Sequence, residues 1–271
     1  MMSLKSKFLV LLILLLGLLS GCNQLEEASF EVKIFKIGKA DCILVTVHDK
    51  HMLIDTGEDK DIAEVLSYLE DANITSLDTL IITHFDKDHV GGADQILKQL
   101  TVKQVLMPSY YSDSKQTTQF MEAIEETGVT AIRLNETLNF KFGEAQVSVL
   151  PPHKSTYDGD NDHSLVTSLI YGDTSFLFSG DAEATRLAEL LDDGNLSHTF
   201  LKVPHHGRFN EQTTAFFTAV KPEVAVITAS NKNPADQQTL DTLQAIGADT
   251  YITKDGTITI TSDGHTLSVQ Q

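Results

Sequence analysis

Thr83-His84-Phe85-Asp86-Lys87-Asp88-His89-Val90-Gly91-Gly92 is the stretch on which the reading of this 271-residue chain turns. Two imidazoles and two carboxylates fall between His84 and His89. They follow directly on Asp78–Thr83 (DTLIIT), an apolar run that reads as a buried strand. A loop at the end of such a strand is held by a rigid scaffold and can aim several side chains at one point. Histidine and carboxylate are ligands of first-row divalent metals. One histidine in a polar loop would be read as solvated. Four ligand-type residues, closed by a Gly-Gly pair that opens a helix through Leu100, point to a metal site.

The same arrangement recurs twice downstream. Phe178-Ser179-Gly180-Asp181 places an acid just after an apolar strand, and Val203-Pro204-His205-His206-Gly207 places a pair of imidazoles just after another. Alone, the first is a common turn and the second a surface pair. Three strand ends with the same habit favour one shared site. His205 comes first off its strand and is the expected ligand, leaving His206 as a supporting group or proton donor. Between these segments, short Val/Ile-rich runs alternate with amphipathic helices. Ile62, Val65, Leu66 and Leu69 mark one helix, Phe120, Ala123 and Ile124 a second that ends at Gly128, and Ala184, Leu187, Ala188 and Leu191 a third. No linker or repeat divides the chain. The order predicts an α+β fold, with two sheets packed together and helices outside, as one domain over residues 30–271. The runs Asp249–Thr253, Thr257–Ile260 and His265–Val269 read as a closing antiparallel set.

Composition limits the chemistry. There are 38 acidic residues against 20 Lys and Arg, a formal charge of −18. Such a surface does not hold nucleic acid by bulk electrostatics, so an anionic substrate needs a local positive centre. Two cysteines exclude a disulfide framework. Residues 1–21 carry Lys5 and Lys7, no acid, and an apolar run from Phe8 to Leu19 too short to span a bilayer comfortably. This is the pattern of a secretory signal. It ends in Leu19-Ser20-Gly21-Cys22, which resembles the bacterial lipobox. That resemblance implies lipidation of Cys22, a tether over residues 22–29, and an address on the outer face of a cell membrane, held by lipid chains.

THFDKDHVGG itself resembles the HxHxDH signature of the metallo-β-lactamase fold superfamily, in a THxDxDHxGG variant similar to the hydrolase domain of ComEC-like DNA-uptake proteins. Ile37–Ile43 (IGKADCI, near VGQGDAI), Leu53–Gly57 (LIDTG), Asn161–Val166 (NDHSLV), FSGD at 178–181 and LKVPHHG at 201–207 follow in family order. The resemblance implies a four-layer αββα sandwich with two divalent metal ions, Zn or Mn. His84 and Asp86 would bind the first, Asp88, His89 and His205 the second, and Asp181 would bridge them. Asp88 and His206 would also act in catalysis. Asp86 stands where many members have His, which hardens that site toward Mn²⁺. His163 is a candidate ligand or substrate contact, and Asp41 and Asp55 are expected to hydrogen-bond the loops that carry the ligands. Arg208 is either a phosphate grip or a solvated cation. Tyr110-Tyr111 is read as packing over the cleft, with base stacking as the alternative.

Two divalent ions against Asp86, Asp88 and Asp181 leave a slightly positive core able to attract an anion. The expected activity is that of a membrane-anchored two-metal phosphodiesterase or nuclease using a metal-bound hydroxide, with DNA or a cell-wall polymer as substrate. A wall-polymer esterase, another hydrolase of the fold, or a non-catalytic binding lipoprotein are the alternatives. No protein partner is implied.

Overall fold

The computed structural model describes residues 30–271. The signal segment 1–21, Cys22 and the tether expected from the sequence lie outside them. From Phe30 the chain forms the antiparallel strands β1 (Phe30–Ile34), β2 (Ile43–Val47) and β3 (Lys50–Ile54). It crosses through α1 (Ile62–Asp71) and the short β4 (Ser76–Leu77) to β5 (Thr79–Ile81). Then come α2 (Lys87–Val90), α3 (Ala93–Gln99), β6 (Thr101–Val102), β7 (Gln104–Pro108), α4 (Lys115–Thr127) and β8 (Thr130–Leu134). A second antiparallel run holds β9 (Leu138–Phe142), β10 (Ala145–Leu150), β11 (Val166–Tyr171) and β12 (Thr174–Phe178). It is followed by α5 (Ala184–Asp192), β13 (Phe200–Lys202), α6 (Thr213–Val220), β14 (Val224–Ile227), α7 (Gln237–Ala245), β15 (Asp249–Ile252), β16 (Ile258–Ser262) and β17 (Leu267–Gln270).

The strands make two large sheets, in the orders β17-β16-β1-β2-β3-β5-β7-β8 and β15-β14-β13-β12-β11-β10-β9. Alternation along each strand sorts side chains between layers. In β2, Ile43, Val45 and Val47 face the core between the sheets, while Leu44 faces the helices. In β12, Phe176 and Phe178 point inward and Leu177 outward. Aliphatic faces of α1, α3 and α4, among them Val65, Ile96 and Phe120, cover the first sheet. Leu187, Phe217 and Leu243 of α5, α6 and α7 cover the second. The result is the expected four-layer αββα sandwich. The helix ending at Gly128 closes as its sequence predicts, with Gly128 left-handed at φ 66° and Ser114 accepting from the Thr117 amide at the other end.

The C-terminal segment departs from the expectation. β15 pairs parallel with β14 in the second sheet, whereas β16 and β17 join β1 in the first. The reason is connectivity and packing. β15 returns from the crossover helix α7 and so lies parallel to β14, while Ile258 and Ile260 of β16 fill the core between the sheets. β9 was not anticipated, although Leu138-Asn139-Phe140-Lys141-Phe142 alternates cleanly.

β3, β5, β7 and β8 run parallel to one another, as do β12, β13, β14 and β15. Their C-terminal ends therefore share an edge in each sheet, and the loops that leave those ends are the ones rich in His and Asp.

Candidate metal centre

Two backbone devices bring these loops together. The first is the Gly91-Gly92 corner. A Cβ on Gly91 would meet the Gly57 carbonyl oxygen at 2.7 Å, and one on Gly92 would meet the Thr56 carbonyl oxygen at 2.8 Å. Glycine there lets the turn after His89 press against the loop after β3. The Thr56 amide donates to the His89 carbonyl at 2.7 Å across that contact. The second is the run His205, His206 and Gly207, all left-handed, at φ 45°, 53° and 80°. Non-glycine residues in this region cost roughly 1–3 kcal/mol each and persist where surrounding bonds fix them. Here the His205 amide donates to the Gly180 carbonyl at 3.2 Å and the Arg208 amide to the His205 carbonyl at 2.9 Å.

That left-handed turn corrects the expectation about the histidine pair. The His206 ring turns inward, with Nε2 3.0 Å from Asp181 Oδ2 and 3.2 Å from Asp88 Oδ2. The His205 ring turns to the rim, where its Nδ1 lies 2.9 Å from Glu183 Oε1. Order along the strand does not decide which imidazole enters when the backbone reverses its usual hand between them.

Asp88, His89, Asp181 and His206 form one buried group whose ligand-type atoms all lie within 4.8 Å of one another. His84 adjoins it, with ring centroids 4.1 Å from those of His89. Asp86 Oδ2 is 3.8 Å from His84 Nε2, on a carboxylate nearly half exposed. Asp86, Asp88 and Asp181 thus lie against the His84, His89 and His206 rings, with Asp86 outermost.

Each of the three inner imidazoles has its Nδ1 committed. His89 Nδ1 donates to Asp55 Oδ2 at 2.7 Å. Thr83 Oγ1 gives its own hydrogen to Asp55 Oδ2 and so accepts from His84 Nδ1 at 3.1 Å. Thr228 Oγ1 likewise donates to Asp41 Oδ1 at 2.5 Å and accepts from His206 Nδ1 at 3.1 Å. These bonds assign the tautomers: every Nε2 faces the group. Asp41 is itself locked by the fully buried ammonium of Lys202 at 2.7 Å. Asp41 and Asp55 thus hold ligand-bearing residues in place, the role expected for them.

The electrostatics follow from burial and proximity. Burial and the neighbouring charge of His89 push His84 well below its usual value, so it is neutral. Burial also opposes charge on His89 and His206, but Asp181 outweighs it, with Asp55 helping His89 and Asp88 helping His206, and both are raised. Burial would raise Asp88 and Asp181. The facing His206 and His89 instead hold both well below the usual carboxylate range.

This group suits a divalent cation. His84 Nε2, His89 Nε2 and Asp181 Oδ1 are buried and complete no hydrogen bond. Buried polar atoms are otherwise almost always paired, so inward-facing atoms left unpaired on residues 83–92 and on the Asp181 loop mark a place for a positive ion. A mixed His and carboxylate set is what zinc, manganese and iron accept.

Other expected residues stand outside the group. His163 stacks on Tyr110 at 4.0 Å and meets Tyr157 edge-on at 4.9 Å, making an aromatic wall. Tyr110 also accepts the Phe85 amide at 2.7 Å, so it packs over the loop, while Tyr111 is exposed. Arg208 is no free cation: its Nη1 donates to Asp236 at 2.9 Å. Lys39 escaped the sequence reading. Its Nζ lies 2.6 Å from Asp88 Oδ2. Its signal was a cation two residues before a buried aspartate.

The fold, the parallel strand ends and the buried His/Asp group with candidate metal ligands define a protein of the metal-dependent hydrolase-like sandwich class, and the chain belongs to the metallo-beta-lactamase superfamily, whose family model matches residues 36–230. More particularly, it is related to competence proteins. It is 28% identical over 224 residues to ComE operon protein 3 of Bacillus subtilis, covering 75% of this chain and 29% of that protein. It is 28% identical over 220 residues to Recombination protein 2 of Haemophilus influenzae, covering 78% and 26%. The chain thus spans less than a third of the length of these relatives. Among solved structures it resembles the metallo-beta-lactamase fold protein YhfI from Bacillus subtilis, at TM-score 0.58 and 11% identity over 89% of this chain and 99% of that one. It also resembles Igni18, a metallo hydrolase from Ignicoccus hospitalis, at TM-score 0.55 and 17% identity with the same coverages. These two likenesses concern the fold alone.

Proposed function

We propose that this chain is a two-metal phosphodiesterase, anchored through a lipidated Cys22 outside the cell membrane. The observation that carries the reading is the buried convergence of Asp88, His89, Asp181 and His206, with orphaned Nε2 and Oδ1 atoms facing inward. His84 and Asp86 would hold one cation, Asp88, His89 and His206 the other, and Asp181 both. Bound there, divalent ions would lower the pKa of water and neutralise charge building on the phosphoryl oxygens.

The chain's own residues do the remaining work. Asp55, Thr83, Asp41 and Thr228 hold the imidazoles by Nδ1 and turn every Nε2 toward the group, so that the rings are oriented before ligation. His205, paired with Glu183 at the rim and partly exposed, would be the imidazole available to exchange protons with an outgoing group. Tyr110 and His163 wall one side of the opening. The names of the relatives favour a nucleic acid as the phosphodiester. No helix among the described residues is long and apolar enough to cross a membrane. The anchor at Cys22 is supported by the lipobox-like Leu19-Ser20-Gly21-Cys22.

The test is a substrate panel with Mn²⁺ and with Zn²⁺: bis(p-nitrophenyl) phosphate, single-stranded DNA, wall polymer and a β-lactam. Turnover of the first two that is lost in Asp181→Ala supports the proposal. Turnover of wall polymer alone points to an esterase at the wall, and no turnover with any divalent metal refutes catalysis.

A further inference from the structure

Among the described residues, one cation apart from the imidazoles contacts the buried His/Asp group. Lys39 Nζ lies 2.6 Å from Asp88 Oδ2, the oxygen that also lies 3.2 Å from His206 Nε2. Its side chain is one-third exposed, so the ammonium sits at the boundary between the group and solvent. An ammonium has three donors, and Asp88 takes one of them, which leaves donor directions at the mouth of the site.

The base of this lysine is rigid. Gly38 turns the backbone at φ 73°. Two residues on, the Asp41 amide donates to the Asp88 carbonyl at 3.1 Å and the Asp41 carbonyl accepts from Gly57 at 2.8 Å. Asp41 is also clamped through its side chain by Lys202 and Thr228. Lys39 therefore projects from a segment tied to the loop that carries Asp88 and to the loop after β3.

The other nearby cations are spent or turned away. Lys202 is fully buried on Asp41, Arg208 is paired with Asp236, and Lys87 is exposed. Around the opening lie Asp86, Asp160, Glu183 and Asp236, on a chain whose formal charge is −18. Among the described residues Lys39 is the ammonium in direct contact with the group, and the neighbouring carboxylates repel an anionic substrate. Asp88 cannot neutralise a bound cation and Lys39 at once. With its carboxylate committed to ligation, the lysine's charge is left for the substrate.

We propose that Lys39 is a substrate-contacting residue whose ammonium binds a non-bridging oxygen of the anionic phosphodiester, selecting anionic over neutral esters. This rests on the phosphodiesterase reading above. The full chain loaded with Mn²⁺ is assayed on bis(p-nitrophenyl) phosphate, with inorganic phosphate as competitor, for wild type, Lys39→Gln and Lys39→Arg. A charge-assisted hydrogen bond predicts that Lys39→Gln raises both KM and the phosphate inhibition constant about tenfold or more. kcat changes less than about threefold because the contact is made in the ground state as well. Metal per chain is unchanged. Lys39→Arg stays within about threefold of wild type, since it keeps the charge. Added salt weakens wild type more than Lys39→Gln. Equal KM and phosphate inhibition in Lys39→Gln overturn the inference. So does loss of metal or of folding in both variants, which makes Lys39 a structural part of the centre. A wild-type protein inactive on every phosphodiester fails before any variant is compared, and takes the broader reading down with this one.

Discussion

An imidazole binds a metal through one nitrogen and is aimed by what holds the other, and in this protein the holding groups are a carboxylate or a hydroxyl that is itself tied to a carboxylate. His206→Ala removes an inward Nε2, whereas His205→Ala removes a ring at the rim. Mn²⁺ affinity measured by calorimetry should fall more than about 100-fold in the first and less than about tenfold in the second, taking the range seen for supporting residues as the divide. Equal losses would return His205 to the ligand set. Asp55→Asn leaves the His89 ring packed but weakens its hydrogen bond and takes away the negative charge that supports ligation. Its metal affinity should drop by about 10–100-fold while the far-UV circular dichroism stays native.

Elements matter here chiefly through what fixes their ends. α5 follows directly on the Asp181 loop, and its Arg186 is wholly buried. The guanidinium donates to Glu189 at 3.1 Å, to the Leu150 carbonyl at 2.9 Å and to the Ser164 carbonyl at 3.3 Å, tying helix, β10 and the His163 segment together. Burial would raise Glu189, but the Tyr157 hydroxyl, the His153 amide and Arg186 together lower it. A carboxyl lowered by folding stabilises the native state above its unfolded pKa of about 4.3 and ceases to do so as the pH falls through the folded value. Glu189→Gln should therefore cost about 3–5 kcal/mol near pH 7, the penalty of stranding a buried cation, and the gap to wild type in urea melts should close on acidification. The helix pair α2 and α3 depends instead on close approach. Gly91→Ala pushes a methyl against the Gly57 carbonyl at 2.7 Å. It should lower stability by about 1–3 kcal/mol and weaken metal binding with it, because His89 sits in the same turn.

On the scale of the whole molecule, the centre belongs to neither half of the chain alone. Asp88 and His89 come from α2, the short helix after β5, Asp181 from the loop after β12, and His206 from the turn after β13, so the two sheets must be packed before the group exists. The last two strands help to pack them. β16 lies between β17 and β1 and puts Ile258 and Ile260 into the core between the sheets. Burying an isoleucine contributes about 1.5–3 kcal/mol. Ending the chain after Gly256 should therefore remove roughly 3–6 kcal/mol and also uncover the β1 edge. For a domain stable by only about 5–15 kcal/mol, the truncated protein is expected to be aggregated or unfolded on a sizing column, and without metal binding, although every ligand-type residue is still present. A soluble, metal-binding truncation would show that the sheets hold each other without β16.

Local pattern by itself determined much of this protein. Period-two and period-3.6 spacing marked the strands and helices, and the recurrence of His and Asp directly after apolar strands marked a shared site, because parallel strands deliver their C-terminal ends to one edge. Asp41 and Asp55 were legible as supporting groups through the segments in which they stand. Tertiary structure alone decided the rest. Nothing in Pro204-His205-His206-Gly207 announces three left-handed residues in succession, so only the folded backbone could choose His206 over His205. Likewise β15 and β16, with only five residues between Ile252 and Ile258, part company because one follows a crossover and the other fills a gap between layers. Lys39 entered the site, and Arg208 left it, for the same reason: which carboxylate a cation meets is set by loops distant in sequence, and spacing along the chain carries no record of that distance.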